Sequence, residues 1–355
     1  MDIEKILAER AKEIDQIIER WIPRKYDRKS MEFTFGPARW QYNIEAANKA
    51  IADPIWDMLD RGGKRWRPTL FLLIAEALGA DIEKLKDFVI IPEVVHNGTL
   101  LIDDIEDRGE LRRGKPCTYK IFGIDIAVNA GNIMYYLPLL TLMKNRDRFP
   151  QDRILKAYEI YSQEMINIGL GQATDIAWHN GMANADTLTE DEYLQMCAYK
   201  TGTLARMSAK IAATLAGADD KTVEALGRFV EAIGVAFQIQ DDVLSLSGGV
   251  FAERKGVGDD ITEGKRSLPV IYTLQVANQA DRKRLLEILN MHTRDSKLIE
   301  EAIAIIHKYG SVEKAKQKAR ELVKSAWADV EKLLPASNAK TNIKAFADFL
   351  IERKI

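Results

Sequence analysis

"LLIDDIEDRGELRRGKP", residues 100–116, ends an apolar helical run in carboxylates and follows it with arginines. Asp103 and Asp104 come directly after Leu100, Leu101 and Ile102, Glu106 and Asp107 stand one turn on, and Arg112 and Arg113 lie just beyond. Like charges at that spacing repel, and beside apolar side chains each is costly to ionise. The group calls for a cation from outside the chain. The spacing predicts a helix from about Phe88 to Asp107, interrupted at Pro92. His96, Asp103 and Asp107 then share one stripe, because residues four and seven apart lie on one helix face.

Working outward, helical signals dominate. Ile3, Leu7, Ile14, Ile17, Ile18 and Trp21 recur at helical spacing, and residues 191–219 are rich in Ala, Leu, Met and Lys and stop at Gly217. Strand-like alternation is almost absent. Gly62-Gly63, Gly79, Gly123, Gly181, Gly248-Gly249 and Gly310 punctuate the helical segments, Pro150 opens another, and no repeat or low-complexity tract intervenes. This predicts a single all-α domain over residues 1–355, with residues 247–267 as a loop over a site. Residues 1–44 read as an amphipathic helix and a polar connector, and 45–345 as the motif-bearing core.

A chain of 355 residues that is 46% hydrophobic can bury a large core, and a net charge of −2 argues against a general nucleic-acid binder. Cys117 and Cys197 stand in unrelated contexts, so neither a disulfide framework nor a cysteine metal site is implied. The N-terminus lacks a signal peptide's apolar stretch, and no uninterrupted apolar run reaches the length of a membrane span. A cytoplasmic protein without a transmembrane segment is expected.

A second acidic stripe lies in "VAFQIQDDVLSLSGG", residues 235–249, where Gln238, Asp241, Asp242 and Ser245 fall on one side of an apolar helix. Two such helix ends offer hard, oxygen-only ligands suited to Mg²⁺, which takes its remaining ligands from waters and substrate phosphates. Bases to meet those phosphates stand in "RGGKRWRP" (61–68), in Arg112-Arg113, and at Lys200-Thr201, Lys255 and Lys265. A diphosphate fits between carboxylates and bases. No Walker-type loop, no Gly-x-Gly-x-x-Gly and no readable Ser-His-Asp set is present. Taken singly these features are bland, an acidic helix end being ordinarily a solvated face and a lone His96 a core residue. Their order in one chain is not.

That order resembles the trans-prenyl diphosphate synthases, the farnesyl and geranylgeranyl diphosphate synthase family. The resemblance covers roughly 45–345 and rests on "GGKRWRP", "HNGTLLIDDIEDRGELRRGKP", "GQATDIAW", "YKTG", "FQIQDDVL" and "GDDITEGKRSLP". It implies an isoprenoid synthase-type helical bundle around a deep central cavity, acting as a homodimer. It implies that Asp103, Asp107 and Asp241 bind Mg²⁺, three ions with substrate, and are catalytic together with Lys200 and Arg112. Arg112, Lys200, Thr201, Gln238, Lys255 and Lys265 would then hold the allylic diphosphate, and Lys64, Arg67, His96 and Arg113 the isopentenyl diphosphate. Asp104, Asp242, Gln172 and Asp175 would support these groups.

The chemistry accounts for the residue types. Ionising an allylic diphosphate makes a carbocation and a diphosphate anion, so fixed cations and metal lower the barrier, and no protein nucleophile is needed. The isopentenyl double bond then attacks, a proton leaves and the chain grows by five carbons. Gly98 and Thr99, five and four before Asp103, correspond to the family's chain-length positions and are too small to stop a tail at fifteen carbons. A product of at least twenty carbons is expected, geranylgeranyl diphosphate first.

Two departures stand out. The second motif has Ser245 where many members carry Asp, and Ser245 would face the metal one turn beyond Asp241, at most through a water. That moves the motif towards the class I terpene cyclases, whose closing Glu is replaced here by Gly249. The other departure is the N-terminal extension. Besides a terpene cyclase, the remaining alternative is a non-catalytic partner subunit of a heteromeric prenyl synthase.

Overall fold

A computed structural model describes residues 3–246 and 258–352. They pack as two compact units, one of Met1–Ile160, Met207–Val223 and Pro335–Ile343, the other of Tyr161–Arg206, Glu224–Leu334 and Lys344–Ile355. Regular structure among the described residues is helical apart from one two-stranded hairpin.

The first unit opens with α1 (Ile3–Trp21), whose buried face is the predicted set Ile3, Leu7, Ile14, Ile17, Ile18 and Trp21. A short α2 (Arg28–Phe35) follows, capped by Asp27, which accepts the Ser30 N–H at 2.7 Å. Tyr26, Met31, Ala47 and Ala52 form a small core of their own. Next come α3 (Asp53–Leu59) and α4 (Trp66–Ala77), the latter buried on every side from Leu70 to Ala75. α1 packs against α4 and α5 (Ile90–Glu106).

Pro92 does not interrupt α5. The helix begins at Ile90, so Pro92 falls in the first turn, where its missing N–H has no partner to lose. Beyond α5, β1 (Leu111–Arg112) pairs antiparallel with β2 (Lys115–Pro116), with Arg113 (φ 53°) and Gly114 (φ 77°) between them. Two left-handed residues in a two-residue loop make the turn whose twist matches the strands. α6 (Ile124–Tyr136) then crosses α5 where Gly98 meets Gly131, and a Cβ on Gly98 would stand 2.9 Å from Met134 Cβ and 3.0 Å from Gly131 O.

One run bears on the expected absence of a membrane span. Ile124–Arg148 is long and apolar enough to cross a membrane, with mean hydropathy 1.3 over its best window. Half of that window is buried inside the protein, and the run contains two 3₁₀ turns, one carrying Pro138, as a core element would. Asp125 and Asn132 break the stretch, so it is not an uninterrupted apolar run.

The second unit takes in the later part of α7 (Gln151–His179), then α8 (Glu190–Cys197), the start of α9 (Thr203–Ala216) and most of α10 (Asp220–Ser245). The helix expected over 191–219 is split by a π-helical turn, Ala198–Gly202. α11 (Leu268–Val276), α12 (Gln279–Asn290), α13 (Ser296–Lys308) and α14 (Ser311–Val330) follow, and α15 (Asn338–Glu352) closes the described chain. Phe229 and Trp327 pack with ring centroids 5.2 Å apart in this unit's core.

Candidate active site

In the first unit, the end of α5 sorts its carboxylates by direction. Asp104 is buried, and its Oδ1 accepts from Arg112 Nε at 2.8 Å and Nη2 at 2.5 Å. Asp103 and Asp107 stay half-buried, with Asp103 Oδ2 3.5 Å from Arg112 Nη2. Asp104 therefore holds Arg112 while its two neighbours on the stripe face outward. Among the described residues no three His, Cys, Asp or Glu side chains form a ready metal cage. Two accessible carboxylates one turn apart fit Mg²⁺, which binds through few protein oxygens and keeps waters or phosphates for the rest.

The basic loop is built on left-handed backbone. Gly62 (φ 77°), Gly63 (φ 142°) and Arg65 (φ 47°) turn the chain into α4. Lys64 is left exposed and Arg67 buried, with its guanidinium 4.3 Å from the centroid of the Trp66 ring. Arg113 Nη1 donates to Gly62 O, and a Cβ on Gly63 would lie 3.2 Å from Arg113 Nη2 and 3.3 Å from Arg65 Nη1. The φ of 142° favours glycine there, and a side chain would crowd both guanidinium groups. Arg61, whose side chain is enclosed, donates to Asp57 Oδ2 at 2.7 Å, Arg112 O at 3.0 Å and Pro116 O at 2.8 Å. It ties the arginine-bearing hairpin to α3.

His96 lies in the field of this cluster. Burial, then the charges of Arg67, Arg113, Arg112 and Arg65, hold its imidazole well below the usual histidine range. It is a neutral ring among cations at neutral pH. Arg67, His96 and Arg113, separated in sequence, thus belong to one electropositive neighbourhood, and Lys64 stands exposed on the loop beside it.

In the second unit, Thr201 Oγ1 donates to Gln238 Oε1 at 2.9 Å, Gln238 Nε2 donates to Asp242 Oδ1 at 2.9 Å, and the Tyr193 hydroxyl donates to Asp242 Oδ2 at 2.5 Å. Burial, then the nearby Asp260, push the Asp242 carboxyl up to about 7. Asp242 supports from within, and the half-buried Asp241 is the outward carboxylate. Lys200 Nζ donates to Asp175 Oδ2 at 2.5 Å, and Gln172 stands one turn before Asp175 on α7. Lys265 pairs with Glu263, and Lys255 lies outside the described residues.

Ser245 departs from the expectation that it faces the metal. It is buried, with Oγ 2.6 Å from Asp260 Oδ2 and 2.9 Å from Asp242 O, and it donates into the protein. Gly98 also differs from a cavity-lining role, because its Cα–H faces α6. Thr99 is half-buried and donates to His96 O at 2.8 Å.

Some residues that organise these groups were not singled out from sequence. Arg61 and Arg65 lie inside the quoted basic motif, and Glu93, a carboxylate in an apolar run, was a legible sign of a buried partner. Gly171 is the other case. A Cβ there would meet Lys200 N at 2.3 Å, so the π-helical turn rests directly on α7.

The polyprenyl synthetase family model matches residues 48–306. The chain belongs to the polyprenyl synthetase family. Within it, a short chain isoprenyl diphosphate synthase from Methanothermobacter thermautotrophicus is 33% identical over 84% of this chain and 88% of its own length. A geranylgeranyl pyrophosphate synthase from Geoglobus acetivorans is 35% identical over 83% of this chain and 88% of its own. The crystal structure of geranylgeranyl pyrophosphate synthetase from Pyrococcus horikoshii matches with a TM-score of 0.85 at 29% identity, covering 99% of this chain and 98% of that one. The chain is therefore a prenyltransferase with the helical polyprenyl synthase fold, and the cyclase and partner-subunit alternatives are not favoured.

Proposed function

We propose that this prenyltransferase condenses isopentenyl diphosphate with an allylic diphosphate to give a trans-prenyl diphosphate of twenty carbons or more, geranylgeranyl diphosphate first. One observation carries the reading. Within the first unit, half-buried carboxylates at the end of α5 adjoin a cluster of Arg67, Arg112 and Arg113 around a neutral His96. Two kinds of diphosphate site, one ligating metal and one purely cationic, suit a reaction in which one diphosphate must leave and the other must stay. A cyclase, with one diphosphate substrate, has no use for the second.

Asp103, Asp107 and Asp241 would hold Mg²⁺, three ions with substrate, and when bound the metal neutralises charge that builds on the leaving diphosphate. Arg112, Lys200, Thr201, Gln238, Lys255 and Lys265 bind the allylic diphosphate. The guanidinium and ammonium groups, fixed before reaction, stabilise the leaving oxygen without reorganising. Lys64, Arg67, His96 and Arg113 hold isopentenyl diphosphate, His96 as a neutral N–H donor. The released diphosphate takes the proton, and the small Thr99 leaves the tail room to grow, while Gly98 serves the close crossing of α5 and α6. Residues 1–355 serve as one synthase domain of a cytoplasmic homodimer, for which the exposed Ile124 and Tyr136 of α6 supply apolar surface.

The test is incubation of purified protein with labelled isopentenyl diphosphate and each allylic primer, with chromatography of the dephosphorylated products. Incorporation into chains of twenty or more carbons is expected. Cyclised hydrocarbon without label, or release mainly as fifteen-carbon alcohol with isopentenyl diphosphate in excess, overturns the reading.

A further inference from the structure

The N-terminal helix reaches the basic loop through one residue. Asp15 of α1 accepts from Arg65 Nε at 2.8 Å. The same guanidinium donates from Nη1 to Glu93 Oε1 of α5 at 2.7 Å and from Nη2 to Leu59 O of α3 at 2.9 Å. Both Arg65 and Glu93 are buried, and Asn97 Nδ2 donates to the same Glu93 oxygen at 2.9 Å. Arg65 is thus gripped by three helices.

Its backbone needs that grip. Arg65 sits at φ 47°, ψ 36° as the residue before α4, a conformation that costs a side-chain-bearing residue about 1–2 kcal/mol. Its carbonyl accepts the Thr69 N–H at 3.1 Å and the Thr69 hydroxyl at 2.8 Å, which fixes the first turn of α4. The direction of Lys64, one residue before, and of Arg67, two after, follows from this left-handed step. Arg65 itself points inward, where its charge is spent on Asp15 and Glu93.

We infer that Asp15 and Arg65 are positioning residues for the isopentenyl diphosphate site, so that α1, which precedes the region matched by the family model, sets how the loop presents Lys64 and Arg67. The inference rests on the proposed role of that loop. Neither residue is assigned contact with substrate. Arg10 of α1 pairs separately with Glu76 of α4, so loss of Asp15 alone leaves the helix docked.

The test compares the full-length wild type with Asp15→Asn, Asp15→Glu and Lys64→Ala. Measured are kcat, KM for isopentenyl diphosphate, KM for the allylic substrate and Tm. Because half of the Asp15 side chain is exposed, Asp15→Asn should raise KM for isopentenyl diphosphate about three- to fivefold, the scale of a half-exposed ion pair. The allylic KM, kcat and Tm should stay near wild type, Asp15→Glu should recover most of the loss, and the gap should narrow in high salt. An unchanged isopentenyl KM in Asp15→Asn, or a fall of kcat and Tm with both KM values rising in parallel, overturns the inference. Should Lys64→Ala leave that KM unmoved, the reading of the loop itself fails and takes the brace with it.

Discussion

Ser245 Oγ lies 2.6 Å from Asp260 Oδ2, inside the second unit and beneath the carboxylate stripe of α10. A serine that donates there fills a role that an aspartate cannot. Ser245→Asp sets a second carboxylate against Asp260 in a buried place, already beside Asp242. It should cost about 2 kcal/mol or more and lower the rate, because buried like charges disfavour each other's ionised form. Ser245→Ala should cost about 1.5–3 kcal/mol, the loss of one hydrogen bond to a charged group. Thermal melts check both, and a Ser245→Asp protein as stable as wild type would contradict the assignment.

Removing the outward carboxylates should separate activity from stability. Asp103→Ala should lower turnover at least about a hundredfold, on the scale of losing a group that stabilises developing charge. Its Tm should hold or rise, since crowded carboxylates are relieved. EDTA should abolish turnover of the wild type and excess Mg²⁺ should restore it. Full activity in EDTA removes metal from the mechanism.

The two small residues before Asp103 should respond differently. Gly98→Ala forces a Cβ to within 2.9 Å of Met134 Cβ at the crossing of α5 and α6. Overpacking of this kind costs about 1–3 kcal/mol, so the melt should move more than the product. Thr99→Phe should shorten the product towards fifteen carbons with little change in Tm. Product chromatography beside melting curves reads both.

His96 gives a pH signature. Its folded pKa lies well below the ordinary histidine value, so between pH 6 and 8 the ring stays neutral and takes up no proton. KM for isopentenyl diphosphate should therefore show no inflection near pH 6.5. Below that pH the unfolded state binds a proton that the folded state refuses, so this residue's contribution to stability falls as pH drops. His96→Gln, a neutral donor, should keep the flat KM profile and lose that acid sensitivity.

Gly171→Ala tests the seat of the π-helical turn. The added methyl meets backbone at Lys200 N, 2.3 Å away, and backbone cannot swing aside as a side chain can. The turn must shift. Turnover should fall by at least about tenfold with a fall in Tm, since misplacing a catalytic group by an ångström is costly. An active, stable Gly171→Ala protein would show that the turn tolerates displacement.

The helices and outward carboxylates were legible because periodicity of three to four residues is written along the chain. α1 announces itself in six apolar positions, and all six are buried. Arg65 was harder to assign. Its neighbours Lys64 and Arg67 look the same in sequence, and only the left-handed backbone step and the pairing with Asp15 and Glu93 set the Arg65 guanidinium apart. Gly98 could be read as small but not as facing α6, because which helix crosses α5 there is a long-range fact. The π-helical turn was missed for a related reason, since Ala198–Gly202 has helical composition and its extra residue is accommodated by Gly171, more than twenty-five positions away. Ser245 sits on its helix as the spacing predicts, but the partner that claims its hydroxyl, Asp260, stands fifteen positions further along the chain.

The turn at Ala198–Gly202 also acts as a register device. Each residue of an α-helix advances the rotation by about 100°, and a π-helical turn holds one residue more than the regular spiral needs. Deleting a single residue between Ala198 and Gly202 would let the helix run straight from Glu190 onwards, with every backbone hydrogen bond kept. Because the π-helical turn absorbs its extra residue, Tyr193 and Thr203 on either side would keep nearly the same relative aim, while the residues inside the turn, Lys200 and Thr201 among them, would change place. Such a deletion regularises the helix while moving Lys200 from Asp175 and Thr201 from Gln238, so the length of this stretch is fixed by where those two side chains stand and not by helical stability.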